Sequence, residues 1–167
     1  MYRSALNATI LESVSRMRLV LYQPDIPQNT GTILRMAVCF GLGVDIIEPC
    51  GFLWDDKLLK RAGMDYLPKA LLTKHLSWED FLANKAEGRL VLLTTKGSQP
   101  YTQFSFQPND FLLFGRESCG VPDEVHQRAD ARLRIPMQPG ERSLNLALSC
   151  AIATAEALRQ TGQFPPV

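Results

Sequence analysis

Three short stretches hold the residues best suited to chemistry. Pro27-Gln-Asn-Thr-Gly-Thr-Ile-Leu-Arg35 carries Asn29 and Arg35. Phe114-Gly-Arg-Glu-Ser-Cys-Gly-Val-Pro122 sets Arg116 and Glu117 between two glycines. Ile135-Pro-Met-Gln-Pro-Gly-Glu-Arg-Ser-Leu-Asn145 ends in Arg142, Ser143 and Asn145. A guanidinium stays charged at any accessible pH, so it suits holding a phosphate or stabilising a developing oxyanion. A lone carboxylate can orient such a cation, and amides and hydroxyls can place a polar ligand. Each stretch also has a plainer reading: a solvated arginine, a turn with an exposed glutamate, and helix caps at Asn29, Ser143 or Asn145.

Familiar signatures of other chemistries are missing. The chain has no G-x-x-x-x-G-K-[ST] phosphate loop and no G-x-S-x-G nucleophile elbow. Gly41-Leu-Gly43 follows a helical pattern rather than a strand, so it is not a dinucleotide fingerprint. The cysteines Cys39, Cys50, Cys119 and Cys150 form no C-x-x-C pair, and only His75 and His126 could assist them. No metal site is expected, and free thiols in a reducing compartment are the natural reading.

The elements that must position these stretches alternate. Strands are expected at Arg18–Tyr22, Val44–Ile47, Arg89–Thr95, Phe111–Phe114 and Leu133–Ile135, each a short apolar run. Helices are expected from about Asn29 to Phe40, with Gly41 as its left-handed cap, and from Asp55-Asp56 to Lys60-Arg61, closed by Gly63. Another should run from a Ser77–Asp80 capping box to about Ala86, with Gly88 after it. Pro122 suits a first helical position of a short helix through Gln127. A long, mostly apolar helix over Leu144–Arg159 is either central to the core or part of a dimer interface. Continuous apolar strands alternating with helices imply an α/β fold, a parallel sheet with helices on both faces. Ligands in such sheets bind beyond the carboxyl ends of the strands, and all three chemical stretches follow a strand.

Composition sets the outer limits. At 167 residues with 46% hydrophobic and 21% charged, the chain fits one packed domain. The longest apolar run is five residues, Met36–Phe40, far short of a membrane span. Residues 1–16 show no partner pattern and no apolar signal segment, and read as an N-terminal arm ahead of a domain at 17–167, with Met17 as a natural start. A cytoplasmic location follows as the default. The net charge of +1 excludes a generic polycation.

Taken in order, the three stretches resemble the SPOUT superfamily of RNA methyltransferases, and within it the small bacterial tRNA wobble-position 2′-O-methyltransferases. The resemblance runs from about Arg18 to Gly162. Its motifs are Asn29-Thr-Gly-Thr-Ile-Leu-Arg35, Leu113-Phe-Gly-Arg-Glu-Ser-Cys-Gly-Val-Pro122, and Arg134-Ile-Pro-Met with Arg142-Ser-Leu-Asn-Leu-Ala-Leu-Ser149. Segments such as Trp54-Asp-Asp-Lys57, Arg61-Ala-Gly-Met-Asp-Tyr66 and Leu93-Thr-Thr-Lys-Gly97 look like the wobble subgroup in particular.

That resemblance implies a SPOUT-type fold with a C-terminal deep trefoil knot, S-adenosyl-L-methionine as cofactor, and a homodimer. The activity it implies is transfer of a methyl group to the ribose 2′-hydroxyl of cytidine or uridine 34 in the tRNA anticodon stem-loop, with no membrane or DNA partner. By position it implies cofactor contacts at Leu93, Gly115, Ile135 and Ser143, catalytic roles for Arg35, Glu117 and Asn145, and substrate contacts at Asn29, Arg116 and Arg142. Arg35 is expected to act as a cation oriented by Glu117, because its pKa makes it a poor base. Cys119 stands where many relatives carry arginine. The alternatives are a 2′-O-methyltransferase acting on another tRNA position or on rRNA, a non-catalytic RNA-binding homologue, and an unrelated small-molecule α/β enzyme. Six cations, Lys96, Arg35, Arg116, Arg132, Arg134 and Arg142, fall in or beside the ligand-side segments, where a local positive field could form despite the balanced total.

Overall fold

The computed structural model describes residues 16–55, 57 and 71–167. The elements follow the expected alternation: β1 (Arg18–Tyr22), α1 (Pro27–Phe40), β2 (Gly43–Ile47), β3 (Leu71–His75), α2 (Trp78–Asn84), β4 (Leu90–Leu93), β5 (Gln99–Pro100), β6 (Phe111–Phe114), α3 (Asp123–Arg128), β7 (Ala131–Arg134) and α4 (Leu146–Thr161). A 3₁₀ turn at Tyr101–Gln103 follows β5. Most of the helix expected at Asp55–Gly63 and all but Arg16 of the expected arm at 1–16 lie outside the described residues.

The strands form one parallel sheet in the order β3-β2-β1-β6-β4-β7-β5. Alternation along each strand sends side chains to opposite faces, and both faces are buried. Leu19, Leu21, Val91, Leu112 and Phe114 pack with Ile33, Leu34 and Ala37 of α1 and Cys150, Ala153 and Ala157 of α4. Val20, Tyr22, Leu90, Leu92, Phe111 and Leu113 pack on the other face with Trp78 and Phe81 of α2 and Val125 of α3. This two-sided burial is why the strands read as apolar runs rather than as alternating ones.

Several boundaries differ from expectation. α1 begins at Pro27, with Ile26 as its N-cap and no side-chain cap, so Asn29 is not the cap that its residue type suggests. Gly41 does close α1 in the left-handed region. The Ser77 hydroxyl accepts from the Asp80 amide as a capping box requires, but Asp80 reaches back to the Leu76 amide rather than to Ser77. Pro122 stands at the N-cap position of α3 rather than inside it. β7 starts earlier than Leu133 because Ala131 pairs with Val91 of β4, which leaves Ile135 beyond the strand's carboxyl end. β3 and β5 escape the apolar-run criterion because they are edge strands: β3 is mostly exposed and β5 has two residues.

One charge is built into the sheet. Asp45 on β2 is buried, and its carboxylate accepts from Arg18 on β1 (2.6 Å) and lies 2.8 Å from His75 Nε2 on β3. A buried carboxylate without such partners would be costly, so this contact fixes which strands neighbour β2.

Candidate active site

A pocket of about 530 Å³ opens beyond the carboxyl ends of β1, β6, β4 and β7, four adjacent strands. This is where the chain, having run outward through β2 and β3, returns to build the other half of the sheet. Such switch points are the favoured ligand sites of open parallel sheets. The volume lies within the range of small-molecule pockets.

The pocket gathers most of the residues singled out from sequence. Asn29, Arg116, Glu117, Arg142, Ser143 and Asn145 line it, as do Leu93, Gly115 and Ile135. Arg35 does not: it lies exposed on α1, outside the lining. The helical repeat explains the separation, since six residues at ~100° each turn Arg35 about 120° away from Asn29.

Three of the polar residues form a relay between separate segments. Asn145 donates through Nδ2 to Asn29 Oδ1 at 3.0 Å, and Asn29 donates through Nδ2 to Glu117 Oε1 at 3.3 Å. The other oxygen of Glu117, Oε2, accepts from the Asp25 amide at 2.7 Å. Within one chain Glu117 is therefore oriented by Asn29 and the β1–α1 loop. Asn145 has a second task. Its Oδ1 accepts from the Ala147 and Leu148 amides, at 2.8 and 3.3 Å, so it caps α4 as expected while its amide group faces the pocket.

The segment carrying Glu117 is a closed loop. The Arg116 amide donates to the Gly120 carbonyl and the Gly120 amide to the Arg116 carbonyl, both at 2.9 Å. A Cβ at Gly115 would stand 2.6 Å from the Gly120 backbone, and Gly120 itself has φ of +70°, so both positions need glycine. Arg116, expected to contact substrate, is engaged within the chain. Its Nε and one terminal nitrogen bind Asp25 at 3.1 and 3.0 Å, and its other terminal nitrogen reaches Gln23 at 3.4 Å. Asp25, which belongs to none of the three motifs, also accepts from the Ser118 amide and hydroxyl. These Ser118 bonds, with the Arg116 cation beside them, hold its carboxyl below the ordinary value. The signal that could have found Asp25 is its place two residues before Pro27, at the end of a strand aimed into the pocket.

Charge in the pocket is lopsided. Lys96, Arg116, Arg134 and Arg142 face one carboxylate among the described residues, Glu117. Leu92, Leu93, Phe114, Ile135, Met137 and Leu146 supply apolar wall. His126 also lines the pocket, and its Nε2 is buried with no hydrogen-bond partner among the described residues. An apolar slot rimmed by cations suits a ligand with an aromatic ring and an anionic end, approached by a polyanion. No cluster of three metal-binding side chains occurs among the described residues.

The sheet, its switch-point pocket and the three motifs define a methyltransferase of the SPOUT type, and residues 16–155 match the model of the SpoU rRNA methylase family. The chain belongs to that family. It is 55% identical over 151 residues to a tRNA (cytidine(34)-2′-O)-methyltransferase of Beijerinckia indica, covering 89% of this chain and 94% of that one. It is 43% identical to the enzyme of the same name from Escherichia coli K12, covering 87% and 94%. A solved structure described as giving insights into the 2-OH methylation of C/U34 on tRNA superposes with a TM-score of 0.82 at 42% identity, over 87% of this chain and 96% of that one. An AdoMet-bound rRNA methyltransferase from Sinorhizobium meliloti superposes at 0.78 with 28% identity, over 88% of this chain and 57% of that longer one.

Proposed function

We propose that this chain is a tRNA (cytidine/uridine-34) 2′-O-methyltransferase that uses S-adenosyl-L-methionine and works as a homodimer. The observation that carries this reading is the Asn145–Asn29–Glu117 relay at the mouth of a cation-rimmed pocket, in a chain that matches wobble-position methyltransferases along nearly their whole length. The tRNA reading is favoured over rRNA because the chain is 55% and 43% identical to the two tRNA enzymes and 28% identical to the rRNA enzyme.

The pocket fits the cofactor. Leu93, Gly115, Ile135 and Ser143 would hold it, and the partly exposed apolar lining of Leu93, Ile135, Met137 and Leu146 would receive its ring. When bound, S-adenosyl-L-methionine supplies an electrophilic methyl group on a sulfonium leaving group. Alignment of the ribose oxygen is then the protein's main task, and orientation alone is worth roughly 7–11 kcal/mol. Asn29 and Asn145 hold the ribose, each with hydrogen-bonding capacity left after the relay is made. Glu117, the only carboxylate in the lining among the described residues, takes the hydroxyl proton. Lys96 and Arg142 hold flanking phosphates.

Arg35 fits the reaction through the dimer. Leu144, just before α4, and Leu148 and Ile152 on it are 38, 57 and 37% exposed and make an apolar strip, and α4 packs against α1, which carries Arg35. Pairing two chains across this strip buries it and delivers Arg35 to the partner's pocket, where its fixed charge stabilises the developing alkoxide. Mixing Arg35→Ala with Glu117→Ala tests this directly. If Arg35 acts across the interface, mixed dimers regain one complete site and therefore activity; if it acts within its own chain, they stay inactive.

The C-terminal knot belongs to the same reading. The Gln160 side chain of α4 binds Phe104 O and the Phe106 amide, at 3.0 and 2.9 Å, and Gln163 binds Pro108 O. The end of α4 is thus pinned against the segment between β5 and β6, as a chain threaded past that segment would be. A tRNA substrate places the protein in the cytoplasm; among the described residues no helix is long and apolar enough to cross a membrane.

A further inference from the structure

We propose that Asp25 is a positioning residue for methyl transfer: its carboxylate clamps Arg116 and Ser118, the two neighbours of Glu117, and so fixes the Glu117 carboxylate against Asn29. The inference rests on the methyltransferase reading of the pocket and adds a residue to it.

Asp25 grips the loop at both sides of Glu117. Oδ1 accepts from Nε and a terminal nitrogen of Arg116, at 3.1 and 3.0 Å. Oδ2 accepts from the Ser118 amide at 3.1 Å and from the Ser118 hydroxyl. The Asp25 amide meanwhile donates to Glu117 itself at 2.7 Å. Three consecutive residues of one loop are therefore held by a single residue of another.

This brace does not shape the loop internally. The reciprocal Arg116–Gly120 backbone pair and the close approach of Gly115 to Gly120 already close it. What Asp25 sets is the loop's placement on the β1–α1 segment, and Asn29 stands on the first turn of the helix that follows. The clamp is in turn backed by a third loop. The Gly51 amide donates to the Pro24 carbonyl at 2.9 Å, and a Cβ at Gly51 would lie 2.8 Å from Asp25 Oδ1. Only the absence of a side chain there lets Asp25 keep its position. Arg116 consequently serves the clamp, its guanidinium being shared between Asp25 and Gln23, while Lys96, Arg134 and Arg142 are left to meet the RNA backbone.

The test measures single-turnover methyl transfer, S-adenosylhomocysteine affinity and amide exchange at residues 115–120 in Asp25→Asn, Asp25→Glu, Ser118→Ala and the Asp25→Asn/Ser118→Ala double variant. Misplacing a catalytic group by an ångström can cost about 100-fold. Asp25→Asn is expected to slow transfer by about 10- to 100-fold, leave S-adenosylhomocysteine affinity within about twofold, and expose the Ser118 amide to faster exchange. Asp25→Glu keeps the charge and should recover part of the rate. Because both single changes break one clamp, the double variant should be little slower than Asp25→Asn, which a general loss of stability would not produce. Wild-type-like transfer in Asp25→Asn, a parallel loss of cofactor affinity, or multiplying losses in the double variant would overturn the proposal. Amide exchange reads the clamp without RNA, so a wild-type protein inactive on tRNA would count against the substrate reading and leave the clamp separately decided.

Discussion

Asn145 does two jobs with the two ends of one amide, and substitution can separate them. Asn145→Ala removes the acceptor for the Ala147 and Leu148 amides as well as the donor to Asn29. Loss of such a cap costs about 1 kcal/mol, and an unpaired, part-buried Asn29 oxygen adds about another 1 kcal/mol. For a chain of this size each kcal/mol lowers Tm by about 2–4 °C, so a fall of roughly 4–8 °C is expected. Asn145→Asp keeps the cap oxygen and adds a negative charge at a helix N-terminus, which is worth about 0.3–1 kcal/mol. It also breaks the relay. The Asn29 oxygen now faces a carboxylate, and turning the Asn29 amide over only moves the conflict to Glu117. Asn145→Asp should therefore melt within about 2 °C of wild type, yet lose methyl transfer about as severely as Asn145→Ala. Differential scanning calorimetry and a labelled-methyl assay on tRNA read the two effects separately. An active Asn145→Asp, or one as unstable as Asn145→Ala, would refute the division of labour.

Three further outcomes follow from the pocket's charges and thiols. Replacing Lys96, Arg134 or Arg142 by Ala should lower tRNA affinity and reduce the slope of log K against log salt by about 0.7–0.9 for each phosphate that the side chain had neutralised, measured by filter binding at several ionic strengths. Burial pushes the Cys150 thiol up to about 12 and the Cys50 thiol up to about 11, whereas Cys39 and Cys119 are exposed. Thiol titration of the native protein near pH 8 should find two slow groups, and S-adenosylhomocysteine should slow Cys119, which lines the pocket, more than Cys39. The Asp25 carboxyl is held below its ordinary value near 3.8 by the Ser118 bonds and the Arg116 cation. A depressed folded-state pKa means that the stabilisation is present above the unfolded value and lost as pH falls through the folded one. The Tm difference between wild type and Asp25→Asn should accordingly hold from neutral pH to about 4 and shrink below it.

The central strands are legible in the sequence because they are buried on both faces: β6 matches its apolar run residue for residue, and Leu90–Leu93 forms the core of a longer expected run. Edge strands are not, since β3 pairs through its backbone while Thr73 and Lys74 stay exposed. The three pocket loops can be located because each follows a strand in a parallel sheet. The direction of individual side chains cannot. Asn29 has the residue type of a helix cap and instead joins Asn145 to Glu117, contacts across 116 and 88 residues of sequence that no local spacing records. Arg35 and Asn29 share a helix yet face different ways. Asp25 carries no motif, and its role exists only in the folded contact with Arg116 and Ser118.

The most direct test is to incubate the purified protein and labelled S-adenosylmethionine with total tRNA from a strain lacking the enzyme, then map the modified nucleotide. A single 2′-O-methyl group is expected at the wobble nucleotide, cytidine or uridine 34, abolished by Arg35→Ala with cofactor binding retained. Methylation at another position, methylation of rRNA in preference to tRNA, or wild-type turnover in Arg35→Ala would contradict the assignment.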